Sequence, residues 1–446
     1  MSDKKVTISV SDLHIGGGPD DPGDDHVYHQ RQFSQFIARL KDSPEGQAGE
    51  IELFINGDFL EFAQVNPGAY TLGSAKYWCS EAESMQKLEP IIQGHPDIFA
   101  ALKEFSGRGN LVTMAAGNHD VELFWADVQK RLQEVAGPIS FALGEEWFTR
   151  YDGRLKIGHG HQFDPANKFE SWWNPILAGP DGVARLEMCP GTLFMVKFVN
   201  WLEGEFPFAD NIKPVTNLRQ ILWKEDRLSF AAVAWMLARF LARHPKSALS
   251  TETDNTKLAA HLRQMLEFDD DFAAQITRLY QKVHASAATV ETVRQELKSD
   301  QAVFTFLCDV MPQLPPEEWM PVLDLAGQSV SLGIGGKSST LGIADPKARN
   351  DKETLRAAAS AELNAENGPE IVVMGHTHQP DEKRSNRGVY FNTGSWTRYA
   401  ELSQMENLTL ENLRHEEKFP YQLNYVRVER LADNTLKSEM ICYEQG

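Results

Sequence analysis

Apolar and β-branched residues in this chain come in short runs that break off at Asp, Asn, His or Gly. Val6–Val10, Ile51–Ile55, Leu111–Ala115, Leu155–Ile157 and Ile371–Met374 all have this form. Runs this short read as strands, and the polar residues after them as loops delivered by the strands' carboxyl ends. Helical stretches, His29–Leu40 and Pro96–Phe105, lie between the first three runs. The N-terminal part therefore alternates β and α, the pattern of a layered α/β core.

From about residue 169 to residue 346 the pattern changes. Leu258, Leu262, Met265 and Leu266, then Phe272, Ile276, Leu279 and Val283, recur at three- and four-residue spacing, the period of a helix face. Trp172, Trp173, Trp201, Trp223 and Trp235 cluster in the same stretch. Strand-like runs resume at Ile371 and continue through Val389–Thr393 and Gln422–Val428. The pattern predicts a core split into 1–168 and 347–446 by a large, mostly helical insertion over 169–346. Within it, Leu332–Leu341 carries Gly333, Gly335 and Gly336 and reads as a loop. Its Gly336-Lys337-Ser338 is not a P-loop, because Ser331 stands where the first glycine belongs.

A chain of 446 residues with 42% hydrophobic content suffices for two or three domain-sized units. A net charge of -19 argues against sequence-independent binding to nucleic acid or anionic lipid, which needs clustered Lys and Arg. Cys79, Cys189, Cys308 and Cys442 are far apart with no Cys-x-x-Cys pair, so neither a zinc knuckle nor a disulfide framework is expected, and a reducing compartment fits. Lys4 and Lys5 precede an alternating run rather than a signal peptide, and no stretch of about 18 apolar residues suggests a membrane span. The expectation is a cytoplasmic protein.

Five motifs follow strand-like runs in order: Asp12-Leu13-His14, Gly57-Asp58, Gly117-Asn118-His119-Asp120, Gly158-His159-Gly160-His161 and Gly375-His376-Thr377-His378. Asp, Asn and His supply hard oxygen and borderline nitrogen donors suited to divalent ions such as Mn, Fe or Zn. If the backbone is extended, Asp12-x-His14 and His376-x-His378 each project both side chains to one side. Alone, Asp-x-His and Gly-Asp are ordinary turn sequences, and a lone buried histidine is more often a core residue than a ligand. Five such motifs in order, each after a strand, point instead to one metal-binding site. No Gly-x-Ser-x-Gly element suggests a serine nucleophile.

This ordered set resembles the calcineurin-like metallophosphoesterase superfamily, over about Val6–Phe163 and Ile371–Trp396. The resemblance implies a four-layer α/β/β/α sandwich of two mixed sheets. It implies that Asp12, His14, Asp58 and His378 hold one metal ion and that Asp58, Asn118, His159 and His376 hold a second, with Asp58 bridging. His159 is favoured over His161 because the family's ligand precedes the glycine, which leaves His161 for a supporting or substrate-side role. His119 would face the substrate phosphate, and Asp120 would orient His119. The implied cofactors are two divalent ions, Mn first, with Fe, Zn, Ni or Mg as alternatives, activating water for in-line attack on phosphorus.

Gly57-Asp58-Phe59-Leu60-Glu61-Phe62 and Asn392-Thr393-Gly394-Ser395-Trp396 look like the branch that includes the UDP-2,3-diacylglucosamine hydrolases, which also carry a helical insertion. The branch implies a phosphorylated small molecule or a lipid-linked substrate. Lys168, Arg185 and Arg398 are candidate phosphate contacts. The apolar stripes Leu193–Phe208 and Leu228–Leu241 read as helix–helix core in preference to an acyl groove, with Arg227, Arg239 and Arg243 flanking the second. Two alternatives stand beside the small-molecule hydrolase. One is a Mn-dependent nuclease, disfavoured by the acidic balance; the other is a non-enzymatic scaffold, which has no need of a complete donor set.

Overall fold

The structure is a computed structural model that describes residues 3–20, 30–200, 262–306, 351–397 and 423–443, together with 314, 318, 322, 409, 411 and 415. The expectations placed on Trp201, Trp223, Trp235, Leu258, 228–241, 332–341 and Arg398 lie outside the described residues. The chain forms two compact units. Met1–Lys213, Asn350–Glu406 and Glu411–Gly446 make the first, and Pro214–Arg349 with Asn407–Leu410 the second.

The first unit is mixed α/β with two mixed sheets. One has the order β13-β12-β1-β2-β3-β4, from β1 (Val6–Val10), β2 (Ile51–Asn56), β3 (Leu111–Ala115), β4 (Ser140–Ala142), β12 (Asn424–Arg430) and β13 (Leu436–Cys442). Strands β1, β2, β3 and β4 are parallel, with Val6 opposite Ile51 and Glu52 opposite Leu111. Every residue of β1 and β2 is buried, the polar Thr7, Ser9 and Glu52 included, as befits parallel strands covered on both faces. The three donor-bearing loops that follow β1, β2 and β3 therefore leave the same sheet edge.

The other sheet has the order β10-β11-β9-β6-β5, from β5 (Phe148–Arg150), β6 (Leu155–Ile157), β9 (Ile371–Met374), β10 (Asp381–Arg384) and β11 (Val389–Asn392). Here β6 and β9 are parallel neighbours, with Leu155 opposite Ile371. Two motifs more than two hundred positions apart in sequence thus occupy adjacent strand ends. The Gly158 N–H donates to Val373 O at 3.0 Å and the Gly375 N–H to His159 O at 3.0 Å.

One buried cluster draws Phe54, Ala115, Val426 and Val428 from the first sheet and Leu155, Ile157, Val373 and Phe391 from the second. On β9 the alternation of a strand assigns Ile371 and Val373 to that cluster. Val372 and Met374 instead meet Leu355, Ala359 and Leu363 of the helix Asp351–Asn364. Burying each such side chain is worth roughly 1.5–3 kcal/mol. The shared core fixes the two donor-bearing edges against one another.

The N-terminal boundary of the change in pattern differs from the expectation. Residues 169–200 belong to the first unit and begin with a hairpin, β7 (Ile176–Ala178) and β8 (Ala184–Leu186), in place of a helix. The hairpin docks on Trp78 and Cys79, the Trp78 N–H donating to Leu186 O at 2.7 Å and the Leu186 N–H to Cys79 O at 3.1 Å. Gly179-Pro180-Asp181-Gly182 is the turn that reverses the chain.

In the second unit, the helices Asp270–His284, Val290–Glu296 and Asp300–Thr305 are N-capped by the side chains of Asp269, Thr289 and Ser299. Of the residues read as a helix face, Leu262, Met265, Leu266, Phe272, Ile276 and Leu279 are buried together, and Val283 is half-buried.

Candidate metal centre

Five of the seven expected donors have left-handed backbone: Asp12 at φ 54°, His14 at 47°, Asp58 at 51°, His376 at 71° and His378 at 58°. This corrects the expectation of extended Asp-x-His and His-x-His pairs. Such conformations cost on the order of 1–3 kcal/mol each in non-glycine residues, although Asp and His tolerate them better than most. Hydrogen bonds hold them in place. The Leu13 and His14 N–H groups both donate to Asp58 O, at 2.9 and 3.0 Å, and Asp12 N–H donates to Gly57 O at 3.2 Å. The Asp12 carboxylate accepts the His376 N–H at 2.9 Å.

The motif glycines serve these carboxylates directly. A Cβ on Gly117 would overlap Asp58 Oδ1, and one on Gly375 would overlap Ser11 Oγ, which donates to Asp12.

Six of the seven expected donors gather into two groups, in each of which the ligand atoms lie within 4.8 Å of one another, and a third such group joins His14 to Glu61 and His119. The first is Asp12, His14 and His378; the second is Asp58, His159 and His376. His14 Nε2 is 3.1 Å from His378 Nε2 and 3.8 Å from Asp58 Oδ2, which places Asp58 beside both groups. Asp58 Oδ2 is 3.0 Å from His159 Nε2, while Oδ1 accepts the His119 N–H at 2.9 Å. Asn118 is buried, and its Oδ1 has no hydrogen-bond partner among the described residues.

Between the two histidines of the fourth motif the geometry separates roles. His159 donates through Nδ1 to Asn56 O at 2.7 Å and turns Nε2 to Asp58. His161 sits edge-on to Trp172 at 4.2 Å between ring centroids, with both nitrogens buried and lacking a hydrogen-bond partner among the described residues.

Electrostatics follow from packing acids and imidazoles together out of water. The ion-pair partners of Asp12, Asp58 and Glu61 among the described residues are histidines. Burial pushes the Asp12 carboxyl up in spite of the facing His159. It would do the same to Asp58, but His159 and His119 hold that carboxyl well below its ordinary range. Burial alone would lower His159; the Asp58 carboxylate instead lifts it to about 10.

No protein-family model matches this chain, and no curated protein does either.

Other expected residues fall elsewhere. Asp120 was expected to orient His119. Its carboxylate accepts the backbone N–H groups of Gly117 at 2.6 Å, Phe59 at 2.8 Å and Asp58 at 3.3 Å, tying the third motif to the second. Burial and the Asp58 charge raise its pKa to about 7. Arg185 is not available to a phosphate, because it is 5% exposed and paired with Glu83 at 2.6 Å and Asp181 at 2.7 Å. Lys168 is exposed.

The residue that sequence reasoning missed is Glu61. Fully buried, it receives His14 Nδ1 at 2.8 Å and His119 Nδ1 at 2.7 Å on the same oxygen, Oε2. Burial would raise its pKa, but the His119 and His14 imidazoles hold it far below the usual carboxylate range. Its sequence signal was a carboxylate three positions after Asp58.

Proposed function

We propose that this chain is a metal-dependent phosphoesterase of the calcineurin-like kind, hydrolysing a phosphodiester, pyrophosphate or related phosphate ester. The observation that carries the proposal is the convergence of Asp12, His14 and His378 and of Asp58, His159 and His376 into two donor groups, buried except for the half-buried His376 and linked by the 3.8 Å approach of His14 to Asp58. The donor chemistry fits divalent cations. His14 gives Nδ1–H to Glu61 and presents the Nε2 lone pair to a second imidazole, and an oxygen–nitrogen set of this kind suits Mn, with Fe, Zn, Ni and Mg as alternatives.

In this reading Asp12, His14, Asp58 and His378 hold one ion, and Asp58, Asn118, His159 and His376 the other. Bound there, the ions supply Lewis acidity and lower the pKa of the attacking water. The chain's own residues do the remainder. Glu61 holds His119 through Nδ1, so the other ring nitrogen of His119 is the atom that passes a proton to the leaving oxygen. Asp120 keeps the Gly57 and Gly117 loops in register, and the buried site excludes bulk water from the acids.

The two sheets are read as the inner layers of a four-layer sandwich. The substrate class is a phosphorylated small molecule or lipid-linked phosphate, and the setting cytoplasmic. The net charge of -19 weighs against nucleic acid, and among the described residues no helix is long and apolar enough to cross a membrane. The test is turnover of a chromogenic phosphodiester and a phosphomonoester with added Mn. Activity lost in Asp58→Ala and His119→Ala supports the proposal, and Mn-independent activity that survives both refutes it.

A further inference from the structure

We infer that Asp164 and Asn167, in the loop after β6, form a relay that orients two donors of the second cation group, His376 and Asn118, from outside the site. The inference rests on the metal-centre reading above and adds to it two positioning residues that no motif contains. Asp164 is buried and Asn167 half-buried. Asp164 Oδ1 accepts the Ala166 N–H at 2.9 Å, which fixes the carboxylate on its own loop. Asp164 Oδ2 then lies 3.2 Å from His376 Nε2 and 2.6 Å from Asn167 Nδ2.

An ionised carboxylate only accepts, so both partners donate to it. His376 spends Nε2–H on Asp164 and keeps Nδ1 as its ligating atom. That Nδ1 is buried and has no hydrogen-bond partner among the described residues. Asn167, having given Nδ2, presents Oδ1, which accepts from Asn118 Nδ2 at 3.3 Å. Asn118 is left presenting Oδ1, likewise buried and without a partner among the described residues.

The polarity of the whole chain is set at one end. If the Asn167 amide were turned end for end, its carbonyl would face a carboxylate and its N–H groups would face the N–H groups of Asn118. Packing opposes that turn as well. A Cβ on Gly191 would overlap Asn167 Oδ1, and the Gly191 N–H donates to Ala166 O at 2.6 Å, so the start of the helix Pro190–Phe194 backs the amide closely. Buried acceptors are rarely left unpaired. Two of them, held by one relay, mark a place for a cation.

The experiment titrates the metal-free full-length protein with Mn by calorimetry and EPR, comparing wild type, Asp164→Asn and Asn167→Leu, with urea unfolding as the check on folding. The wild type should bind two ions. Each variant should keep one at wild-type affinity, held by Asp12, His14 and His378, and bind the other roughly 10–100-fold more weakly. Unchanged affinity at both sites, or an equal loss at both, overturns the relay. Should Asp164→Asn unfold, Gly191→Ala displaces the Asn167 amide without changing the chemistry of either relay residue and should give the same selective loss. Wild-type protein that binds no Mn overturns the metal-centre reading, and the relay with it.

Discussion

Replacing Glu61 by Gln removes one charge and one acceptor from a single buried point. Oε2 of Glu61 holds His14 at 2.8 Å and His119 at 2.7 Å. Glu61 Oε1 accepts the Ala63 N–H at 3.0 Å, so the one oxygen of an amide can face the two rings or Ala63 but not all three. Facing the rings, it turns two charge-assisted hydrogen bonds of roughly 1.5–3 kcal/mol each into two neutral ones of about 1 kcal/mol each, a loss of about 1–4 kcal/mol of stability, and sets its N–H groups against the Ala63 N–H. Turned to satisfy Ala63, the amide sets its N–H groups against both rings, which must then take the other tautomer. The His14 Nε2 then carries a proton and no longer presents a lone pair to the first cation group. The same substitution should therefore weaken Mn binding at one site by roughly 10–100-fold and lower turnover.

The sign of the pH dependence is fixed as well. The imidazoles depress the folded pKa of Glu61 below its ordinary 4.5, so its contribution is fully present above that value and fades as pH falls below it. Urea unfolding of metal-free wild type and Glu61→Gln at pH 7 and at acid pH, with Mn titration and turnover at pH 7, measures each part. Unchanged stability and unchanged Mn affinity at pH 7 would refute the argument that one oxygen positions both rings.

Gly117→Ala drives a methyl group into Asp58 Oδ1 and should lower turnover by about 100-fold, as a displaced reacting group does, with the circular dichroism spectrum unchanged; near wild-type turnover counts against the Asp58 geometry. Arg185→Leu should cost about 3–5 kcal/mol in urea unfolding by leaving the buried Glu83 carboxylate unpaired, with KM for a phosphodiester unaltered, whereas a raised KM at full stability would restore the phosphate-contact role. Asp58 lifts His159 to about 10, so their ion pair stabilises the metal-free chain fully below about 6.5 and is lost as pH rises through about 10. Because a ligating His159 must give up that proton, Mn affinity at one site should rise about tenfold per pH unit between about 6.5 and 9, and a flat profile by calorimetry refutes the pairing.

The strands and the candidate donors stood out because each parallel strand is a short, mostly apolar or β-branched run with a candidate donor just after it. Their convergence was expected from the order of the motifs, but not the pairing behind part of it, in which β6 and β9 lie parallel with Leu155 opposite Ile371. Asp120 was read as the partner of His119 because it is the next residue, but its carboxylate turns to backbone N–H groups. Glu61 escaped because left-handed turns, which a strand pattern does not announce, bring it back to two histidines. Arg185 looked available because its partner Glu83 lies 102 positions away. The Trp172-Trp173 segment, apolar enough for a helix, is followed by a hairpin whose only sign was Gly179-Pro180-Asp181-Gly182.

The central claim is that two divalent cations share Asp58, and it is tested most directly by the Mn content and EPR spectrum of the Mn-loaded full-length protein beside Asp58→Ala. The account predicts two ions per chain with a spin-coupled spectrum, and at most one, uncoupled, in the variant. A wild type that holds no Mn or a single uncoupled ion, or an Asp58→Ala variant that keeps both ions coupled, would contradict it.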